Sequence, residues 1–162
     1  MRRIVRVRSG AEDESGAAMV EFALILPLLM TLVLGLMDFG KALNYWIDQT
    51  HLANEAARWA AVNRNPGAAA SQTLQQYIKG QADSADLRDS LNGAKICVDY
   101  PLGGTPKVGD PVRVRIQYVY SWLPFFQNRL GWTATTIAGT AVMRLEAAPT
   151  HYAATDNIGT CT

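Results

Sequence analysis

The sequence predicts an α+β protein: a long N-terminal helix, transmembrane in its first half and amphipathic in its second, packed on a small antiparallel three-stranded sheet, with a short second helix. Three observations predict it. Residues 17–37 are apolar, with no charge from Phe22 to Met37. From Lys41 to Arg64 no helix breaker interrupts the chain, and small and large apolar residues recur at helical spacing. After Lys95, three segments alternate or are β-branched, as strands with one buried face do.

As a helix rising about 1.5 Å per residue, residues 17–37 would reach about 31 Å, against about 30 Å for a hydrocarbon core. A buried soluble helix of this length would carry a polar stripe, and between Phe22 and Met37 only Thr31 interrupts the apolar run. Pro27 removes a backbone donor inside the run and predicts a bend there. Arg2, Arg3, Arg6 and Arg8 precede the segment, whereas Lys41 and then Arg58 follow it. That asymmetry predicts a cytoplasmic N-terminus and an external C-terminal domain. A cleaved secretory signal competes with this reading, but the run exceeds an ordinary signal core and ends in Leu36-Met37-Asp38-Phe39-Gly40, which is no small-x-small cleavage site. The predicted organisation is a basic leader at 1–16, a transmembrane segment at 17–38, an extracytoplasmic domain at 39–148 and a flexible tail at 149–162.

Beyond the membrane segment, Leu43, Ile47, Ala53, Ala57 and Ala60 form the predicted inward stripe. Trp46, Leu52, Ala56 and Trp59 widen it, with the two tryptophans read as core or as interface anchors. Asp48, Gln49, Asn54, Glu55 and Arg58 supply the polar side, and Glu55 and Arg58 are spaced to pair. Asn65-Pro66-Gly67 ends the helix. Ser71 is placed to cap a second helix running to Ala82, with Leu74, Tyr77 and Ile78 inward, and Asp86–Leu91 adds a turn.

The strands are expected at Lys95–Tyr100, Pro111–Tyr120 and Thr133–Glu146. In the second, Val112, Val114, Ile116, Tyr118 and Tyr120 face inward while Arg113, Arg115 and Gln117 face outward. The turn-rich stretch from Pro101 to Asp110 joins the first two strands into a meander over the outer half of the long helix. The connection from Ser121 to Trp132 holds Trp122, Leu123, Phe125, Phe126 and Leu130. Trp122, Phe125 and Phe126 either cap the core or form a contact loop for a partner or a membrane surface. Cys97 lies on the polar-facing side of its strand and Cys161 lies in the tail. They bridge each other, stay free, or bond another chain.

A net charge of +1 gives no pull toward nucleic acid. Two cysteines and two histidines, far apart, make no zinc site of usual spacing, so no metal or cofactor is expected. The sequence contains no HExxH, no glycine-rich phosphate loop and no Ser/His/Asp pattern, and no enzyme is expected.

One feature of the apolar run stands apart. Glu21 places a carboxylate near the start of a membrane-length segment, where it costs up to about 3 kcal/mol by depth. Gly16-Ala17-Ala18-Met19-Val20-Glu21-Phe22 resembles the processing site of type IV pilins. Together with Pro27, Asp38-Phe39-Gly40-Lys41 and Ala56-Ala57-Arg58, it resembles the TadE-like family of tight-adherence (Flp) pilus assembly. The resemblance implies a minor pilin or pseudopilin in a bacterial inner membrane, crossing once, with its domain periplasmic or extracellular. It implies cleavage between Gly16 and Ala17 by a prepilin peptidase, and association with inner-membrane lipid and other pilin-like subunits of the Tad system. It also implies a partner for Glu21, now the fifth mature residue: the new Ala17 amine of a neighbouring subunit. The alternatives are a Glu21 that is hydrated or protonated at the interface, and an uncleaved single-pass anchor that presents a binding module.

Overall fold

The computed structural model describes residues 11–89, 92–150 and 156–161, with side chains from Gly16 onward. Residues 1–10 of the expected leader, with their four arginines, lie outside the described residues, as do 151–155 and 162 of the tail. The chain divides into two units, Met1–Phe39 and Gly40–Thr162.

Helix α1 runs from Ala11 to Ala61 and passes through Pro27. Among the described residues the helix already includes Ala11, and the Gly16–Ala17 bond lies inside it. In the first unit, Met19, Val20, Phe22, Leu24 and their apolar neighbours as far as Met37 are largely exposed. The Thr31 hydroxyl donates to the Pro27 carbonyl at 2.8 Å, which satisfies the one polar side chain of the run within the helix itself.

The second unit is α+β. After α1 come a 3-10 turn at Ala68–Ala70, α2 (Leu74–Gln81), α3 (Ala85–Arg88), β1 (Lys95–Asp99), β2 (Pro111–Tyr120), α4 (Pro124–Leu130) and β3 (Thr135–Arg144). The three strands form an antiparallel sheet in the order β1-β2-β3. The core joins Leu52, Ala53, Ala56, Ala57 and Ala60 of α1 to Leu74, Ile78 and Leu87 and to Ile96, Val98, Val112, Val114 and Ile116 of the sheet. The fold class and the meander are those the alternating pattern predicts.

Several local expectations are corrected. Leu52, Ala53, Ala56, Ala57 and Ala60 face inward as expected, but before them the buried residues are Ala42, Tyr45, Asp48 and Gln49, whereas Leu43, Trp46 and Ile47 are exposed. The helix is rotated because its small residues let the sheet approach closely. At Gly139 of β3, an added Cβ would lie 2.5 Å from the backbone carbonyl of Gln49. Asp48 and Gln49, expected outside, are buried. Asp48 accepts the Asp83 N–H at 3.0 Å, while the buried Gln49 amide has no hydrogen-bond partner. Glu55 accepts from the Trp59 indole at 3.4 Å, and among the described residues it makes no ion pair with Arg58.

The second helix is capped by Thr73, not Ser71. Thr73 and Gln76 form a reciprocal capping box, and Ser71 instead ends the 3-10 turn with φ 56°. The Thr-x-x-Gln signal was present in the sequence, two residues past the predicted cap. Gln117 is buried although its strand position faces away from the core. A further helix, α4, occupies the connection after β2, with Pro124 at its start and Gly131 in the left-handed conformation at its end.

The tail is not wholly a free end. Ile158 forms an antiparallel bridge with Ile96, and the Asn157 Oδ1 accepts the Val98 N–H at 2.9 Å and the Gln75 Nε2 at 3.3 Å. Residues 156–161 thus cover the free edge of β1, the side that an unprotected sheet leaves open to pairing.

An ion pair ties α1 to α3. Lys41 Nζ lies 3.2 Å from Asp86, and the Tyr45 hydroxyl donates to the same carboxylate. The Tyr45 hydrogen bond first, and Lys41 second, hold the Asp86 carboxyl below its ordinary value. A lowered folded-state value stabilises above the unfolded carboxylate range and is lost as pH falls through it. Both side chains are about half exposed, so the contribution is about 0.2–1 kcal/mol. Asp86→Asn should lower the unfolding midpoint slightly at neutral pH, with the difference shrinking as pH falls below the ordinary carboxylate range near about 4. Urea titrations at neutral and acid pH check this, and a gap that widens in acid would refute the assignment.

Candidate processing and docking segment

The predicted processing residues all lie on α1. Gly16 has open space where a Cβ would sit. Ala17 and Glu21 are exposed, and Phe22 is 62% exposed. Residues 17 and 21 are four apart, one above the other on the same face of the helix. Within its own chain Glu21 makes no hydrogen bond or ion pair with the described residues. The carboxylate and the surrounding apolar side chains therefore present themselves outward together.

Gly16 is the weak point of this turn. A glycine inside a helix costs about 1 kcal/mol relative to alanine, so the backbone opens more readily here than at the alanines that follow.

Farther along α1, Ala56 and Ala57 are buried against the sheet, at 1% and 0% exposure, while Arg58 is exposed. Their size has a physical role: larger side chains would push the sheet away from the helix. Lys41 is held by Asp86.

Residues 16–58 match the family described as TadE-like protein. The chain is TadE-like over this segment. The match begins at the proposed cleavage glycine and ends at Arg58, so it takes in Glu21, Pro27, the Asp38-Phe39-Gly40-Lys41 stretch and the alanine face. The sheet, α2, α3 and α4 lie outside it. No curated protein and no solved structure matches the chain. The likeness to the TadE-like family is confined to this segment, and the α+β unit beyond it is described from its own residues.

The structure brings some of the other predicted residues together. Cys97 and Cys161 form a disulfide, and neither cysteine is free. It fastens the tail to β1 next to the Ile158 bridge. Of the predicted contact loop, Trp122 is half-buried, Phe125 is 43% exposed and Phe126 is buried at 3%. Phe126 stacks on Trp132 at 5.3 Å and is unavailable to a partner, which corrects its place in the loop. Leu123, Leu130 and Trp132 are exposed instead. Among the described residues, no group of histidine, cysteine, aspartate and glutamate could hold a metal.

Proposed function

We propose that the protein is a minor pilin or pseudopilin acting in assembly of a tight-adherence (Flp, type IV-like) surface pilus, with a structural and not a catalytic role. The observation that carries this reading is Glu21, an exposed carboxylate on an exposed apolar helix, five residues past Gly16 in a TadE-like segment. Left unpaired in lipid or in a filament core it is costly, so a partner from outside the chain is favoured. The Ala17 amine of a neighbour, created by cleavage, has the required charge. α1 has the length and composition to cross a membrane, and in the second unit it leaves Leu43, Trp46 and Ile47 exposed. Helices of neighbouring pilin-like subunits can pack on these residues. The proposed setting is a bacterial inner membrane, with the N-terminus cytoplasmic and the α+β unit periplasmic or extracellular, and with a prepilin peptidase as the processing partner.

Mass spectrometry of the protein from cells with an active pilus system tests the reading. A mature N-terminus at Ala17 is expected, and an intact Met1 would overturn it. Glu21→Ala should leave cleavage normal and abolish incorporation into filaments. Undisturbed assembly of this variant would remove the pairing role. One observation favours a second reading, an uncleaved single-pass anchor presenting a binding module: α1 is continuous across Gly16 and Ala17. The same N-terminal measurement separates the two.

A further inference from the structure

The two outer edges of the sheet are finished differently. At β1 the Ile96 N–H donates to Ile158 at 3.0 Å and the Val98 N–H to the Asn157 Oδ1 at 2.9 Å, so the tail closes that edge. Ile96 and Val98 thus turn their backbone groups away from Ile116 and Val114, their partners in register. In an antiparallel sheet the backbone groups of successive residues alternate between the two neighbouring strands. Ile116 and Val114 therefore bond to β3, where Gly139 and Ala141 stand opposite them. Leu145 keeps the same phase: its N–H donates to Asp110 at 2.9 Å and its carbonyl accepts the Gly109 N–H at 2.8 Å. The residues between, Thr136, Ala138, Thr140, Val142 and Arg144, turn N–H and C=O outward. Among the described residues no backbone group pairs with them there.

Proteins usually blunt such an edge with proline, a bulge, charges or a cover. β3 is ten residues long with no proline, its register with β2 is unbroken, and Arg144 at its end is its one charge. The flank of α1 beside it is apolar. Lys41 and Tyr45 reach Asp86 of α3, Asp48 accepts the Asp83 N–H, and α2 packs on β1, so that side of α1 is occupied. At about 100° of turn per residue, Leu43, Trp46 and Thr50 lie on the opposite side. The Thr50 nitrogen lies 2.7 Å from where a Cβ on Gly139 of β3 would sit. Leu43 is 42% and Trp46 52% exposed.

The face of the sheet away from α1 is basic. Lys95, Arg113, Arg115 and Arg144 share it, by register, with one strand carboxylate, Asp99, which Arg113 holds. Among the described residues Lys95, Arg115 and Arg144 have no acidic partner. Between Arg115 and the open edge stands only Thr140, its partner in register, whose side chain is small enough to leave the guanidinium within reach of a further strand.

We infer that the open edge of β3 is a strand-addition site for an extended segment of a partner polypeptide, apolar on the face that meets Leu43 and Trp46 and acidic on the face that meets Arg144 and Arg115. The outward backbone groups supply the main-chain hydrogen bonds, and the two unlike faces select the side chains. A second copy of β3 suits the edge less, because pairing two identical edges joins two basic faces into one. The inference goes beyond the pilus reading and does not depend on it. It leaves Ile47, on the side of α1 away from the sheet, to neighbouring helices.

The test uses the full chain in detergent micelles and a blocked peptide in which valine alternates with threonine or glutamate. Amide hydrogen exchange along β3 is the readout. In the free chain Thr136, Ala138, Thr140 and Val142 should exchange much faster than Gly139 and Ala141. With the peptide at about ten times its half-saturating concentration, these outward amides should slow about tenfold, while Gly139 and Ala141 stay as they were. A peptide with lysine in place of glutamate, or N-methylated at its edge-facing amides, should not slow them. Arg144→Glu, at an exposed position, should shift the preference toward the lysine peptide. Outward amides that are as protected as their neighbours in the free, dilute chain would overturn the open edge. No slowing at millimolar peptide would overturn the site, and equal slowing by the lysine peptide would overturn its acidic chemistry. Slowing that follows protein concentration and not peptide would assign the edge to a second copy and overturn the partner segment.

Discussion

Cys97→Ser, alone or with Cys161→Ser, is expected to lower the stability of the α+β unit by about 4 kcal/mol in the chain-entropy model of a loop this long. The bond spans 64 positions of sequence, so most of the sheet lies within the closed loop. The effect should be concentrated at one edge. The Ile96 N–H donates to Ile158 at 3.0 Å and the Ile158 N–H returns to Ile96 at 2.9 Å. The Val98 N–H depends on Asn157. Without the covalent tie these bonds must hold residues 156–161 by themselves, against the freedom of a chain end. Thermal unfolding in detergent, with and without reductant, measures the total. Hydrogen exchange then locates it: the amides of Ile96, Val98 and Ile158 should lose protection before those of Val112 and Val114 in β2. An unchanged midpoint after reduction would mean that Asn157 and Ile158 suffice without the bond. A second consequence concerns association. Once the tail leaves, the edge of β1 offers unpaired backbone groups, so the serine variants should aggregate more readily when heated.

Gly139→Ala is expected to lower stability by about 3 kcal/mol, at the upper end of the range for overpacking. The new Cβ would sit 2.5 Å from the carbonyl carbon and oxygen of Gln49 and 2.7 Å from the Thr50 nitrogen. All three are backbone atoms of α1, so no side-chain rotation relieves the contact. Either β3 withdraws from the helix or the helix turn distorts, and both open the alanine-lined interface at Ala53, Ala56 and Ala57. For a unit of this size the midpoint should fall by about 10 °C. Thr140→Ala, at the exposed neighbouring position, should change it little. Equal midpoints for Gly139→Ala and wild type would show that the two layers can separate without loss. Gln49 is fully buried and its amide is unpartnered, so the close backbone approach at Gly139 is maintained despite an unfavourable polar group beside it.

Legibility differed between elements for physical reasons. The strands were readable because one face of the sheet is buried and the other is not. β2 occupies the predicted residues, and β1 and β3 differ from expectation by one or two residues at their ends. α1 was readable as a rod, and Leu52, Ala53, Ala56, Ala57 and Ala60 face inward as expected, but the orientation of residues 43–49 was not readable. A periodic pattern assumes that large apolar residues point inward, and here the sheet rests on alanines while Leu43, Trp46 and Ile47 point out. α2 was found with its cap misplaced, because Ser71 and Thr73 both fit the composition and only the reciprocal bond with Gln76 distinguishes them. α4 was missed because a run of large apolar residues obscured its Pro124 and Gly131 boundary signals.

The sequence by itself determined the fold class, the TadE-like segment, the apolar length of α1 and the position of Glu21 relative to Gly16. These are properties of residue type and spacing along one element, where the relevant distances are fixed by backbone geometry. Only the tertiary structure decided that Cys97 meets Cys161, that Ile158 closes the β1 edge, that Gly139 touches the α1 backbone, and that the open edge of β3 lies beside Leu43 and Trp46 of α1. Each of these joins residues distant in sequence. Their contact depends on how close two layers can pack and on which side of the sheet the chain returns, and no local pattern encodes either quantity.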